Sequence, residues 1–371
     1  MNDLGSKKHV YLLMGICLLI MAASLLLLLW IRNNPDEALR LGADRVVSDG
    51  PGYEISTSEA AKTYVIGDYT ARVGQDGVTL MSAKGEERIH FETDLPTPLV
   101  LQEGSMLVVG SAASERLFVL DRNGNTYRVS LPGEAISVFA RDDQMLALSL
   151  RSNGVTVLTK TTFQTDETVD LAVFERGQTP MRARFAPDGR SIDVLLIDLY
   201  GKNSGVTLQR YDFTGNLQRE LAFAERDWFF DFLYLPDGSV WLAGAHSLVQ
   251  TDAQLEAERR QIELKDIRGV WQAAGRALVL AGNDKDGFAL YAAAGQLEKL
   301  VTFDQKPEIM PAVSDTYAIL TTETSLQVID VRGGRVIEQA PIEEMLYRVE
   351  FTGPTTFIVI SERGIFPYAI Q

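Results

Sequence analysis

The pattern of apolar and polar positions divides the chain into two parts. Residues 10–31 form an apolar run without a charged side chain. A helix rising about 1.5 Å per residue over this run crosses roughly 30 Å of hydrocarbon. Tyr11 and Trp30 stand near its two ends, where aromatic rings favour the membrane boundary. The pattern predicts a transmembrane anchor, with the lipid bilayer as a partner through residues 10–31.

The flanks of this run predict its orientation. Residues 1–9 form a short tail, residues 32–44 read as a polar tether, and a large acidic domain follows from residue 45. We expect a cytoplasmic tail, a single pass through the cell membrane and an extracytoplasmic domain. A cleaved signal peptide is the alternative, although its apolar region is usually about 7 to 15 residues long. A lipoprotein signal at Cys17 is disfavoured because Ile16 precedes it instead of a small residue.

Beyond residue 63 the chain changes to short runs rich in Val, Leu, Ile and aromatic residues, which is typical of β-strands. An apolar strand followed by a turn glycine recurs, and these glycines are Gly85, Gly124, Gly215, Gly295 and Gly333. The two large spacings are close to twice the small ones, and each contains a degenerate copy of the unit. Units of about 41 residues are typical of four-stranded propeller blades.

The last unit predicts how the ring closes. It has room for only three strands before Gln371, whereas residues 45–56 hold a strand that precedes the first complete unit. We expect this N-terminal strand to complete the last blade as its outer strand, which leaves no open sheet edge. The prediction is therefore an all-β, eight-bladed β-propeller over residues 45–371, behind a single N-terminal transmembrane helix. Seven blades remain the alternative.

A turn motif carries a family resemblance. The sequence Phe185-Ala186-Pro187-Asp188-Gly189 resembles the F-x-P-D-G repeat turn of TolB-like and WD40-like propellers, and Pro236-Asp237-Gly238 repeats its core. With the anchor, the whole chain is similar to an uncharacterised membrane-anchored β-propeller family of Gram-positive bacteria. It also resembles quinoprotein-like propellers in outline. The resemblance implies a fold and a location, with no activity attached.

Composition narrows the classes of partner and cofactor. The 371 residues carry a formal net charge of −15, which opposes affinity for nucleic acid. One cysteine excludes an intrachain disulfide, and with only His9, His90 and His246 in the chain we expect no three-histidine metal site. The motifs of serine hydrolases and of phosphate-binding loops are absent from the sequence. We therefore expect no cofactor, no metal and no catalytic residues.

Aligning the first strands of four units places a charged residue at one shared position. These residues are Arg182, Asp231, Arg268 and Arg348. First strands surround the central channel of a propeller, so we expect these side chains to ring one mouth of the channel. There they would bind an anionic group or an acidic segment of a partner. Solvated strand ends without a ligand are the alternative interpretation.

A rigid disc with variable loops favours a binding role over catalysis. The sequence predicts a protein-interaction or scaffolding module at the cell envelope, with an envelope protein as partner. The alternatives are a quinoprotein-like or glycan-active propeller enzyme and a sensor of an extracellular ligand.

Overall fold

The computed structural model describes residues 45–103, 106–111, 114–165, 167–199, 205–223 and 228–371. Residues Val46–Gln371 form one compact unit. Its strands assemble into eight antiparallel sheets, of which seven are built from four consecutive strands and the eighth combines strands from both ends of the described chain. The eight-bladed β-propeller predicted from the repeat is confirmed.

The bounds of the strands follow the repeat. Blades 1 and 2 contain β3 (Thr63–Ile66), β4 (Tyr69–Val73), β5 (Gly77–Ser82), β6 (Glu87–Glu92), β7 (Pro98–Glu103), β8 (Met106–Ser111), β9 (Arg116–Asp121) and β10 (Thr126–Ser130). Blades 3 and 4 contain β11 (Glu134–Arg141), β12 (Gln144–Leu150), β13 (Thr156–Thr162), β14 (Glu167–Phe174), β15 (Gln178–Phe185), β16 (Ser191–Asp198), β17 (Gly205–Asp212) and β18 (Leu217–Phe223).

The second half continues in the same order. Blades 5 and 6 contain β19 (Phe229–Tyr234), β20 (Val240–Gly244), β21 (Ser247–Thr251), β22 (Glu258–Glu263), β23 (Ile267–Ala273), β24 (Arg276–Asn283), β25 (Gly287–Ala293) and β26 (Leu297–Phe303). Blade 7 contains β27 (Ala312–Val313), β28 (Tyr317–Thr321), β29 (Ser325–Asp330) and β30 (Arg335–Pro341).

Blade 8 joins the two ends of the described chain. Its inner strands are β31 (Leu346–Phe351), β32 (Thr356–Ser361) and β33 (Gly364–Ile370), and its outer edge is formed by β1 (Val46–Ser48) and β2 (Tyr53–Glu54). Val46 pairs with Ile370, and Tyr53 pairs with Ile365. The predicted closure by residues 45–56 is confirmed, because both segments lie antiparallel on β33. A short helix, α1 (Thr57–Ala60), then leads into blade 1.

The hydrophobic core lies between the blades. Among the described residues there are eight apolar clusters, one between each pair of neighbouring blades. The middle strands supply most of it, as in β16, where seven consecutive residues are buried, whereas β18 at the outer edge of the same blade is mostly exposed. Strands buried on both faces read as continuous apolar runs, which explains the short Val- and Leu-rich segments of the sequence.

The innermost strands all begin on one face of the disc, which we call the upper face. Each blade runs its four strands antiparallel, so the connections into β15, β27 and β31 lie on this face. Among the described residues no helix is long and apolar enough to cross a membrane. The predicted anchor at residues 10–31 lies outside them.

Candidate interaction site at the channel mouth

A recurrent β-bulge shapes the innermost strands, which surround the channel in a propeller. The first and second strands of blades 3, 4, 5, 6 and 8 each show a register shift near the start of the first strand. The residues directly after the bulge are Ser137, Arg182, Asp231, Gly269 and Arg348. Because a bulge adds one unpaired residue and bends the strand, it re-aims the side chains beside it.

This register corrects the sequence alignment at one position. Arg182, Asp231 and Arg348 occupy equivalent places, but Arg268 is itself the extra residue of its bulge, and Gly269 takes the equivalent place. Counting from an aromatic residue failed in blade 6 because Trp271 lies two residues after Gly269. In blades 4, 5 and 8 the aromatic residue lies three residues after the equivalent position.

Arg182 and Asp231 meet across the boundary between blades 4 and 5. The Arg182 Nε lies 3.7 Å from Asp231 Oδ1, and the Nη2 of Arg184 donates to the same oxygen at 3.1 Å. The arginine side chains are 40% and 30% exposed and that of Asp231 is 18% exposed. Two guanidinium groups therefore share one carboxylate at this part of the mouth.

Aromatic rings hold these two arginines in place. The guanidinium groups of Arg182 and Arg184 lie 5.7 and 5.8 Å from the centre of the Phe139 ring in blade 3. Arg184 also lies 5.9 Å from the ring centre of Phe232 in blade 5. Cation-π contacts of this kind limit the motion of a long side chain at a site open to solvent. We call Arg182, Arg184 and Asp231 the basic rim.

The other two predicted residues make their contacts apart from the basic rim. Arg348 donates from Nε to the carbonyl of Thr63 at 2.9 Å, and its guanidinium lies 3.9 Å from the ring centre of Tyr64, so it links blade 8 to blade 1. Arg268 is exposed and donates to the Gly282 carbonyl of its own blade at 3.2 Å. Within the described ranges, no hydrogen bond or ion pair joins Arg268 or Arg348 to the basic rim.

A buried ion pair lies deeper between blades 4 and 5. Arg210 donates from Nε and Nη2 to the two oxygens of Asp193 at 2.7 Å each, and the Tyr234 hydroxyl donates to Asp193 at 2.9 Å. The Asp193 side chain is fully buried and that of Arg210 is 12% exposed. Burial raises the pKa of Asp193, and the hydrogen bonds from Arg210 and Tyr234 offset part of the rise. Since every strong donor is engaged, this network acts as a structural link between the blades.

Blade 8 carries an acidic group at the position that Arg184 occupies in blade 4. Glu350 lies two residues after Arg348, as Arg184 lies two residues after Arg182. Burial raises the pKa of the Glu350 carboxyl, and the charge of Arg348 lowers it only in part. The first strands therefore place residues of both charges along the channel.

No metal centre is evident where the structure can be described. Over those residues, no group of three or more His, Cys, Asp or Glu side chains is placed to hold a metal ion.

Sequence comparison identifies a family. A model described as a family of unknown function, DUF5711, matches residues 48–368. The chain belongs to the DUF5711 family. The match begins at the last residue of β1 and ends within β33, so this DUF5711 region covers nearly the whole propeller ring. No curated protein sequence matches the chain.

Solved structures resemble the DUF5711 propeller in fold. The computationally designed Ika8 protein is 12% identical with a TM-score of 0.60, covering 89% of this chain and 100% of its own. The dihydro-heme d1 dehydrogenase NirN, in complex with DHE, is 15% identical with a TM-score of 0.57, covering 88% and 78%. A catalytically inactive virginiamycin B lyase from Staphylococcus aureus, with quinupristin, is 11% identical with a TM-score of 0.50, covering 74% and 95%. At these identities the likeness shows the fold alone.

Proposed function

We propose that this protein is a membrane-anchored, extracytoplasmic β-propeller that binds a partner protein and holds it at the cell envelope. Residues 10–31 anchor it, and the channel mouth receives an acidic segment of the partner. Arg182, Asp231, Arg268 and Arg348 are the residues proposed to serve this mouth, with Arg184 added by the geometry.

The observation that carries the proposal is the basic rim. Two aromatic-braced guanidinium groups converge on one carboxylate, and the Arg182 side chain remains 40% exposed, so its donor atoms can reach a second anion. Arginine forks bind carboxylates with two parallel hydrogen bonds, which suits an Asp or Glu side chain of a partner. The exposed Arg268 adds positive charge to the same face.

Partner capture tests the rim. The intact anchored protein is used to isolate partners from membranes, and the variant Arg182→Gln with Arg268→Gln is compared with Arg88→Gln with Arg259→Gln. The control removes the same charge at exposed positions of outer strands, in blades 1 and 5. We expect only the first variant to lose the partner, with thermal stability changing by about 0.5 kcal/mol or less in both. If both variants retain the partner equally, the proposal that the basic rim binds it is wrong. Arg348 is left intact because it links blades 8 and 1.

Protease accessibility tests the anchor. Protease added to intact cells should digest the propeller and leave the tail of residues 1–9 protected. Carbonate washing should leave the full-length chain in the membrane fraction. Release of a mature protein that lacks residues 1–31 contradicts retention by an anchor.

A further inference from the structure

A second polar feature lies on the upper face, at the boundary between blades 7 and 8. A cleft of about 510 Å³ opens there. Its walls come from the connection into β27, the β28–β29 hairpin, the connection into β31 and the β32–β33 turn. The innermost strand of blade 7, β27, has only two residues, so less of the inner sheet fills this side of the ring.

The cleft is strongly acidic. Its walls include five glutamates, which are Glu308, Glu323, Glu343, Glu344 and Glu362. Arg363 pairs with Glu344 at 2.6 Å, and the other four glutamates have no ion pair with any described residue. Their carboxylates are not grouped in a way that holds a metal ion, as far as the described residues extend. Spread-out negative charge of this kind suits the larger cationic groups of Lys and Arg.

A buried hydroxyl in the wall lacks a partner. Thr321 is 2% exposed, and its Oγ1 makes no hydrogen bond. Side chains alternate along a strand, so Thr321 points to the same side of β28 as Tyr317 and Ile319, which pack in the cluster between blades 7 and 8. Thr321 is also one of the residues that line the acidic cleft, so its hydroxyl lies within the cleft wall. Buried polar groups without partners are uncommon in native proteins, and a bound donor would satisfy this one.

An apolar cavity continues the cleft outward. This second cavity, of about 210 Å³, shares Ile342, Glu343, Glu344 and Leu346 with the cleft. Leu326 and the buried Phe357 and Val359 add apolar surface to it, and Glu338 and Arg363 also line it. Met345 stands at the cleft with 61% of its surface exposed. Together the two cavities form a groove that is acidic at its inner end and apolar along its outer part.

We propose that this groove docks an extended, basic and amphipathic segment of a partner protein. A Lys or Arg head group of that segment enters the acidic cleft, where Thr321 Oγ1 accepts one of its hydrogen bonds. Apolar side chains of the segment lie along the half-buried Leu326, Ile342 and Leu346, and Met345 packs against the stem of the basic residue. This site is separate from the basic rim between blades 4 and 5, so the outcome of a test of one site does not decide the other.

The test uses the detergent-solubilised full chain and a short fluorescent peptide of alternating lysine and leucine. Binding is followed by anisotropy at two salt concentrations. The variant Glu308→Gln, Glu323→Gln and Glu343→Gln is compared with Glu86→Gln, Glu87→Gln and Glu92→Gln at the outer edge of blade 1. Both variants lose the same charge. We expect the groove variant to weaken binding about tenfold or more and the control by less than about twofold. Equal losses show general attraction to an acidic protein and overturn the proposal.

Two further measurements separate the docking of a segment from simpler causes. Thr321→Val removes an unpartnered hydroxyl at nearly constant volume, so we expect unchanged or higher thermal stability together with weaker peptide binding. Unchanged peptide affinity in this variant overturns the role of the hydroxyl and the proposed pose. Spermidine that binds as tightly as the peptide points to a polyamine site and also overturns the proposal. The rim variant Arg182→Gln should bind the peptide normally, so failure of the rim and failure of the groove are distinguishable.

Discussion

Tyr53 connects the closing strand of blade 8 to blade 1, and its removal should destabilise the whole ring. Its hydroxyl lies 2.6 Å from Thr70 Oγ1 on β4, and its ring lies where a side chain at Gly85 would clash, at 2.7 Å. Truncating a fully buried aromatic residue costs about 3–5 kcal/mol. Tyr53 is only partly buried, so Tyr53→Ala loses about 2 kcal/mol of packing. The hydroxyl of Thr70, a residue 1% exposed, is then left unpaired, which costs about 1 kcal/mol or more.

The expected total of about 3 kcal/mol is a large part of the roughly 5–15 kcal/mol that stabilises a typical domain. Urea unfolding should show a lower midpoint with an unchanged slope. Hydrogen exchange of the β16 amides in blade 4, remote in the ring, should accelerate by the same free energy. Tyr53→Phe and Thr70→Val isolate the hydroxyl pair, and their double variant should cost less than the sum of the single changes.

The control is Leu217→Ala on the outer strand of blade 4, where the side chain is 51% exposed and the change should stay within about 0.5 kcal/mol. The reasoning is refuted when Tyr53→Ala accelerates exchange in β33 alone and leaves β16 protected. That result would mean that blades open one at a time and that closure does not couple them.

Three further predictions concern buried and turn charges. Glu350→Gln should raise the melting temperature at pH 8 but not at pH 4, because burial raises the pKa of Glu350 and the folded state favours the neutral acid; an equal gain at both values contradicts this. Arg210→Met should lower the free energy of unfolding by about 3–5 kcal/mol, because Asp193 remains buried without its partner, and adding Asp193→Leu should recover part of the loss in chemical denaturation. Asp237→Ala should lower the free energy of unfolding by about 1 kcal/mol at pH 7, because it removes the hydrogen bonds from Ser239 that lower the pKa of Asp237. The melting curves of the variant and the unaltered protein should converge as pH falls below about 4, where the Asp237 carboxyl becomes protonated.

The fold was predictable because its signal repeats. Turn residues such as Gly124 and Gly215 adopt positive φ at equivalent hairpins, where glycine carries no steric cost, so their spacing reports the blade period. Closure was predictable from the missing outer strand of the last unit. Both predictions use only the order and spacing of residues along the chain, and these do not depend on how the side chains pack.

The site was less predictable because local register decides it. A bulge adds one residue without an apolar or turn signal, so Arg268 was placed one position away from its true equivalent, Gly269. Arg184 was missed although it lies two residues after Arg182 and on the same side of the strand. The acidic groove could not be predicted from the sequence, because its glutamates come from four separate segments and each alone is an ordinary surface residue.

The closing strand also sets a mechanical property of the disc. β1 and β2 run antiparallel to β33 from the lower face, at Val46, to the upper face, at Glu54. The chain therefore enters the ring at the lower outer edge, opposite the face that carries the basic rim and the acidic groove. A force drawing Val46 away along the strand axis loads the hydrogen bonds to β33 in shear, so that they share the load instead of opening one by one. Resistance to such pulling is set by the unfolding rate, and blade 8 is the point at which the ring would yield.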